Sequence, residues 1–208
     1  VISGQVSRQY VGSDAFQEAD ATGITRPICK HNFLINDRES IADTFRKAFI
    51  IATTGRPGPV IIDIPKDLTD PNVKIDFEYK KNIKIRSYKI KTNEDDNKIE
   101  EAAKILCSAK KPMIYSGGGV ILSKASKELI KLTKLLNYPI TNTLMGLGAY
   151  PSSDDQFLGM LGMHGTYEAN MAMHDCDVLL AVGARFDDRV TGDTKHFCPK
   201  AKIIHIDI

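Results

Sequence analysis

Apolar positions along the second half of this chain alternate between two rhythms, short unbroken runs and longer segments in which they recur every three or four residues. The first kind suits parallel strands buried on both faces, and the second suits amphipathic helices. The pattern predicts a helix over Lys98 to Ala109, a strand over Met113 to Tyr115, a helix over Lys124 to Asn137 carrying Leu129, Leu132, Leu135 and Leu136, and a strand over Ile140 to Thr143. A helix from about Thr166 to His174 then precedes the strand Val178 to Val182, and a last strand covers Ile203 to Ile206. Strands alternating with helices imply right-handed crossovers, so the expected class is α/β, a doubly wound parallel sheet with helices on both faces.

The first half is sparser. Val1 to Val11 reads as the end of a strand entering a loop at Ser3 and Gly4, and Gly12, Ser13 and Asp14 read as a turn and cap ahead of a helical stretch at Ala15 to Glu18. From Asp37, a cap, the positions Ile41, Phe45, Ala48, Phe49 and Ala52 predict a helix that ends before Gly55. Pro57 to Pro59 make a turn, Val60 to Ile64 a strand, and Pro65 its stop. Periodicity then disappears from Thr69 to Asn97, where six basic residues between Lys80 and Lys91 give way to Glu94, Asp95 and Asp96. That stretch reads as a surface connection, dividing the chain into residues 1–68, a linker 69–96 and residues 97–208. A nucleic-acid patch is the competing reading of the basic run, but it lacks a companion basic helix and aromatic interleaving.

Composition narrows the classes further. Hydrophobic residues make up 42% and charged residues 26%, the balance of an ordinary globular protein, and a net charge of +2 favours neither a nucleic-acid nor a membrane surface. Cys29, Cys107, Cys176 and Cys198 stand far apart without a C-x-x-C pair, so neither a zinc site nor a disulfide framework is indicated, and reduced cytoplasmic thiols are expected. No run approaches the roughly eighteen apolar residues of a membrane span. A chain that starts at Val1 and stops at Ile208 inside a predicted strand reads as a piece of a longer polypeptide.

Chemistry is expected where loops leave the strand ends. Arg185, Asp187, Asp188 and Arg189 put four charges in five residues just after the strand Val178 to Val182, at the edge where open α/β sheets bind ligands. They can pair with one another or offer bidentate donors to a phosphate. Gly117 to Gly119 allow a close backbone approach and amide donors toward a ligand, although they are not a full G-x-G-x-x-G and a plain turn reads equally well. Leu161, Gly162, Met163 and His164 precede a helix amino terminus and suit a flat ring system or a phosphate, and a lone His164 does not indicate a metal. Asp207 at a strand end suits ribose hydroxyls. These residues outline a dinucleotide-sized site. A nucleotide-binding module without catalysis fits the same features, and an NAD-dependent oxidoreductase fits them less well because no positioned acid–base pair accompanies the glycines.

The strings GSDAFQEAD, ITRPICKHNF, TTGRPGPVIIDIPKD, YSGGG, TLMGLGAYP, LGMLGMHGT, VGARFDDRVTG and IIHIDI, in this order, resemble the catalytic large subunit of the acetohydroxyacid synthases (acetolactate synthases), a thiamine-diphosphate-dependent family. The resemblance covers the chain except its linker. It implies the C-terminal part of a pyrimidine-binding thiamine diphosphate domain in residues 1–68 and a truncated, Rossmann-like FAD-binding central domain in residues 97–208. The implied reaction decarboxylates pyruvate on thiamine diphosphate and joins the product to a second pyruvate or to 2-oxobutyrate, in branched-chain amino acid biosynthesis, with FAD performing no net redox chemistry.

Carried over by matched position, FAD would contact Arg56, Gly117, Gly118, Gly119, Thr143, Leu144, Leu161, Gly162, Met163, His164, Gly183, Ala184, Arg185, Phe186, Asp187 and Asp207. The catalytic set would be Gln17, Phe16 and Lys30, with Gln17 near the thiamine of a partner subunit, and Phe16, Lys30, Lys66, Asp188 and Arg189 would border the substrate and inhibitor channel. Ser7 departs from the proline common at the channel mouth, which puts inhibitor sensitivity in doubt. No G-D-G segment is present to hold diphosphate through Mg2+, and the activating glutamate is not among these residues, so residues 1–208 alone are expected to be inactive. The resemblance further implies a homodimer or homotetramer, a small regulatory subunit, and a cytoplasmic location in a bacterium or an organellar one in a eukaryote.

Overall fold

Val60 to Ile64, framed by prolines, becomes the middle of a small parallel sheet. The structure, a computed structural model, describes residues 1–75, 80, 82–89 and 95–208, and the chain divides into two units, Val1–Thr92 and Asn93–Ile208. In the first unit β1 (Ile2–Gln5), β2 (His31–Leu34) and β3 (Val60–Pro65) lie in the order β1-β3-β2, all parallel. Strand β1 does not end at Ser3 and Gly4 as its sequence suggests. Ser3 pairs with Asp63 and Gly4 with Ile64, and the Ser3 hydroxyl donates to Asp63 Oδ1 at 2.6 Å, so a buried carboxylate holds the strand in register.

The helix expected at Ala15 to Glu18 is absent. Asp14 and Gln17 have φ of +59° and +64°, outside helical backbone, and the Glu18 carboxylate accepts from the amides of Gly12 and Ala15 and closes a turn instead. Helix α1 (Ala21–Thr25) starts later, capped by Asp20, which accepts from the Gly23 amide at 2.8 Å. Helix α2 (Ile41–Thr53) is where periodicity puts it, but Asp37 accepts from the Ser40 amide in the preceding turn rather than capping the helix. Its buried face is Thr44, Ala48 and Ile51, leaving Phe49 exposed. Residues 76–79, 81 and 90–94, within the predicted linker and its run of basic and acidic residues, lie outside the described residues. Ile85 and Tyr88, also from that stretch, pack on the first unit's core of Ile35, Ala48, Ile51, Val60, Ile62 and Leu68.

The second unit holds α3 (Asp96–Ser108), β4 (Pro112–Ser116), α4 (Gly118–Leu122), α5 (Ser126–Leu136), β5 (Ile140–Asn142), β6 (Phe157–Met160), α6 (Tyr167–Asp175), β7 (Val178–Val182), α7 (Asp188–Thr191) and β8 (Lys202–Ile206). Its five strands are all parallel, in the order β6-β5-β4-β7-β8. The chain therefore winds outward from β4 to β6, then returns to the far side of β4, which puts the topological switch point between β4 and β7.

Side-chain alternation along the strands builds two cores. Met113, Tyr115, Leu179 and Ala181 face α6 through Ala169 and Met173, while Ile114, Val178, Leu180 and Ile140 face Leu106 of α3, Val120 of α4 and Leu129 of α5. Both faces are thus covered, which is why these strands read as continuous apolar runs. Each fully buried leucine here is worth about 1.5–3 kcal/mol relative to exposure. Three elements escape the pattern. In the sequence β6 looks like part of a glycine–methionine loop, α4 like a glycine turn, and α7 like a charge cluster. All are short, and glycine or charge masks their period. No helix among the described residues is long and apolar enough to cross a membrane.

Candidate functional site

The register of the five-stranded sheet sets its last residues in one row, Met160, Asn142, Ser116, Val182 and Ile206. The hydrogen-bond ladder continues one residue further. Leu161 N–H donates to Asn142 O, Thr143 N–H to Ser116 O, Gly117 N–H to Val182 O and Gly183 N–H to Ile206 O, at 3.3, 2.9, 2.9 and 2.8 Å. The segments carrying the predicted site residues 117–119, 143–144, 161–164, 183–189 and 207 therefore leave the sheet side by side along a single rim.

Glycine makes the centre of that rim possible. A Cβ on Gly117 would lie 2.2 Å from Gly183 O, one on Gly119 2.7 Å from Gly183 Cα, and one on Gly146 2.7 Å from Ser116 O. Gly183 itself has a φ of +59°. The close approach expected of Gly117 to Gly119 is thus first an approach of the chain to itself. The amides of Gly117 and Gly119 also donate to Val182 O and Gly183 O, so these two do not aim at a ligand as the sequence suggests. Thr143 caps the 3-10 turn Leu144–Gly146, its hydroxyl accepting from the Gly146 amide at 2.9 Å.

The outward surface of the rim combines exposed apolar side chains with charges of both signs. Leu144, Met145 and Met163 are 68%, 76% and 64% exposed, high values for large apolar side chains, and Met145 lies against the position a Gly118 Cβ would take. His164, Arg185, Asp188, Arg189 and Asp207 are exposed beside them or in the neighbouring turns. Arg185 Nη2 contacts Asp187 Oδ2 at 2.6 Å, and Asp187 also caps α7 by accepting from the Arg189 amide. The hydrogen bond from that amide first, and then the neighbouring Asp188 and the Arg185 guanidinium, hold the Asp187 carboxyl below the usual aspartate range. Met163 N–H donates to Arg189 O at 3.0 Å, which ties the 161–165 turn to the charged one.

Three predicted contacts turn inward. Leu161 and Ala184 are 4% and 2% exposed, and Phe186 packs among Tyr115, Phe197 and His205, so a ligand would meet mainly backbone at these positions. His205 Nε2 lies 2.8 Å from Ala184 O and 3.7 Å from Asp207 Oδ2, and so connects the ends of β7 and β8. Sequence reasoning misses Met145, Gly146, His205 and Asn142. The glycine spacing around Met145 is visible in TLMGLG, but Asn142 carries no signal. Its Oδ1 accepts from the Ser116 hydroxyl, and its buried Nδ2 has no partner among the described residues.

In the first unit the predicted residues occupy both edges of the sheet. Phe16 and Gln17 sit in the turn closed by Glu18 that comes after β1, Phe16 almost fully exposed, and Lys66 opens the 3-10 turn Lys66–Thr69 after β3. Lys30 is at the opposite edge, its N–H donating to Pro59 O just before β3, with Arg56 exposed in the adjoining bend. The six residues of β3, about 20 Å of strand, separate Lys30 from Lys66. No group of three or more potential metal ligands is found among the described residues.

Comparison with known proteins gives this arrangement its relatives. Residues 99–208 match the family described as thiamine pyrophosphate enzyme, central domain. The whole chain is 54% identical to the acetolactate synthase large subunit of Haemophilus influenzae, covering 36% of that protein. It is 48% identical to the acetolactate synthase isozyme 3 large subunit of Escherichia coli, again over its full length and 36% of the relative. Against the acetolactate synthase of Mycobacterium bovis it is 47% identical over 207 residues, 33% of that protein. The chain spans about a third of the length of the curated relatives it matches.

Proposed function

Because this chain belongs to the thiamine pyrophosphate enzyme family and carries its central domain, we propose that it is part of an acetolactate synthase large subunit whose five-stranded unit binds FAD along the rim of β4, β5, β7 and β8. One observation carries the reading of the rim. Three large apolar side chains, Leu144, Met145 and Met163, stand exposed on the loops after β5 and β6, on the same rim of a parallel sheet as the exposed Arg185 and Arg189 after β7. A flavin dinucleotide has this mixed character, with flat rings for the apolar side chains and a diphosphate for the arginines. The unpartnered Nδ2 of Asn142 beneath the rim adds a donor suited to an acceptor atom above it. Asp207, at the end of β8, is suited to accept from ribose hydroxyls.

On this reading the full-length protein decarboxylates pyruvate and joins the product to a second pyruvate or to 2-oxobutyrate. Thiamine diphosphate, held through Mg2+ by parts of the protein outside these residues, supplies the carbanion chemistry. This chain contributes binding and orientation. Arg185, kept in place by Asp187, anchors diphosphate; Met163 and Leu144 exclude water from the rings; in the first unit Phe16, Gln17 and Lys66 at the carboxyl edge of the sheet and Lys30 at its opposite edge, and in the second unit Asp188 and Arg189, serve the substrate. The working form is a homo-oligomer with a small regulatory subunit, cytoplasmic in a bacterium and organellar in a eukaryote, and residues 1–208 alone are inactive.

The test is direct. Purified full-length protein should carry flavin and convert pyruvate to acetolactate, and Met163→Asp should lower flavin affinity about tenfold or more by placing a charge on the ring face. Absence of acetolactate from flavin- and thiamine-loaded protein would overturn the activity, and unchanged flavin affinity in Met163→Asp would overturn the rim as its site.

A further inference from the structure

The linker returns to the first unit at a specific point. Tyr88 lies on the end of α2, its hydroxyl 2.9 Å from both the carbonyl and the hydroxyl oxygen of Thr54. Lys30 Nζ donates to Thr54 O at 2.5 Å and to the Tyr88 hydroxyl at 3.0 Å, and it stands 5.3 Å from the centre of the Tyr88 ring. Thr54 spends its own hydroxyl proton on Ile50 O, so the direction of the chain is settled: Lys30 donates to Tyr88, and Tyr88 donates to Thr54. Ile85 and Tyr88 seat this segment on the core formed by Ile35, Ile51 and Val60. A positive φ of +58° at Gly55 lets the backbone turn away beneath the cluster, where a Cβ would meet the Tyr88 hydroxyl at 3.4 Å.

An ammonium has three protons, and this cluster takes two of them. A free lysine side chain wanders among rotamers and loses that freedom when a ligand orders it. Here the ordering is done in advance. We propose that Tyr88 is a positioning residue for Lys30, holding its ammonium against the end of α2 with one N–H left for an anionic group such as the carboxylate of a 2-oxo acid. The segment around Tyr88, a linker by its sequence, is then part of the first unit's ligand-binding apparatus. The inference rests on the reading that Lys30 borders the substrate channel, and two separate measurements distinguish its failure from the failure of that reading.

In the full-length protein, Tyr88→Phe keeps the ring on its apolar seat and removes only the hydroxyl. Trace acetylation followed by peptide mapping should show Lys30 labelled about fivefold faster in this variant than in the parent protein. With pyruvate as the probe, KM should rise about fivefold while kcat stays within about twofold, because a pre-ordered binding contact is lost and no reacting group is touched. In the reciprocal variant, Lys30→Met, the Tyr88 phenol should ionise at higher pH once the cation is gone, while the hydrogen bond to Thr54, the larger cause of its lowered value, is kept, and an unchanged denaturation midpoint separates this from general loosening of the fold. Unchanged Lys30 labelling in Tyr88→Phe would overturn the proposal. Faster labelling with an unchanged KM would leave the clasp standing and overturn the assignment of Lys30 to the channel.

Discussion

At the carboxyl edge of the five-stranded sheet Gly117, Gly146 and Gly183 press backbone on backbone, whereas the three-stranded sheet is finished by side chains, Asp63 with Ser3 and Gln5 at one edge and Lys30 with Thr54 and Tyr88 at the other. The two units thus reach defined edges by different means. Packed backbone cannot adjust, so the first kind of edge tolerates no added atom. Hydrogen-bonded side chains can rearrange, so the second kind loses only the contribution of the removed group.

The largest contrast should come from one substitution made at two glycines. Gly117→Ala places a carbon 2.2 Å from Gly183 O, and relief requires both turns to move. We expect a loss of about 3 kcal/mol or more, read as a fall in the denaturation midpoint, together with loss of flavin binding. Gly4→Ala in β1 meets nothing within 4 Å and should change stability by no more than about 0.5 kcal/mol. Equal effects at the two positions would erase the distinction between the edges.

Next in size is Asp63→Ala. This carboxylate is buried, accepts from Ser3 Oγ at 2.6 Å and from Gln5 Nε2 at 3.1 Å, and through Gln5 reaches Ala19 O near the turn that carries Phe16 and Gln17. Removing it should cost about 2–3 kcal/mol, and hydrogen exchange should report loosening of residues 2–5 and 15–19 with the second unit unaffected. Loosening of β4 and β7 as well would show that the two units do not respond separately.

How much of this is legible in the sequence also differs between the units. Strands β4, β5, β7 and β8 are buried on both faces or lie beside strands that are, so their apolar runs spell them out, and with parallel order they place residues 117, 143, 183 and 207 on one rim. Short elements built on glycine or charge, α4 and α7, have no period to detect. In the first unit the signals mislead for a local reason. Ser13 and Asp14 have the composition of a helix cap, yet the Glu18 carboxylate captures the amides of Gly12 and Ala15 and makes a turn, a choice only the folded geometry reveals. Lys30 is legible as a site residue through family likeness, while its partner Tyr88, 58 residues away, is not.

A smaller effect measures how tightly the second unit is sealed. Burial pushes the Cys176 thiol up to about 12, and Cys198 is buried in the same core beside Met113 and Met173, whereas Cys107 is exposed on α3 and Cys29 of the first unit is half-buried. Alkylation of the native protein at mildly alkaline pH should modify Cys107 first, Cys29 more slowly, and Cys176 and Cys198 only on unfolding. Early modification of Cys176 would mean that the core between α6 and the sheet opens more readily than its packing implies.

The smallest expected effect concerns charge on the rim. Asp187 accepts from the Arg189 amide and contacts Arg185, and these interactions hold its carboxyl below the usual aspartate range. A folded value below the unfolded one means that the folded state takes up this proton less readily. The stabilisation is therefore complete above the unfolded value of about 3.9 and is lost as pH falls through the folded one. As pH falls below about 3.9 the parent protein should lose more stability than Asp187→Asn, whose amide cannot titrate, and the two melting profiles should converge at the acid end. In the first unit Asp67 makes the matching case, accepting from the Arg8 amide and then from its guanidinium with the same downward direction, so Asp67→Asn should give a parallel acid-side convergence. The two carboxylates differ in their effect on the ligand. Loss of Asp187 frees Arg185 at the rim and should weaken flavin binding alongside the acid effect, while loss of Asp67 should leave flavin binding unchanged. If Asp187→Asn alters acid stability and leaves flavin affinity intact, the Arg185–Asp187 pair is only a cap for α7, and the basic side of the rim must be assigned to Arg189 alone.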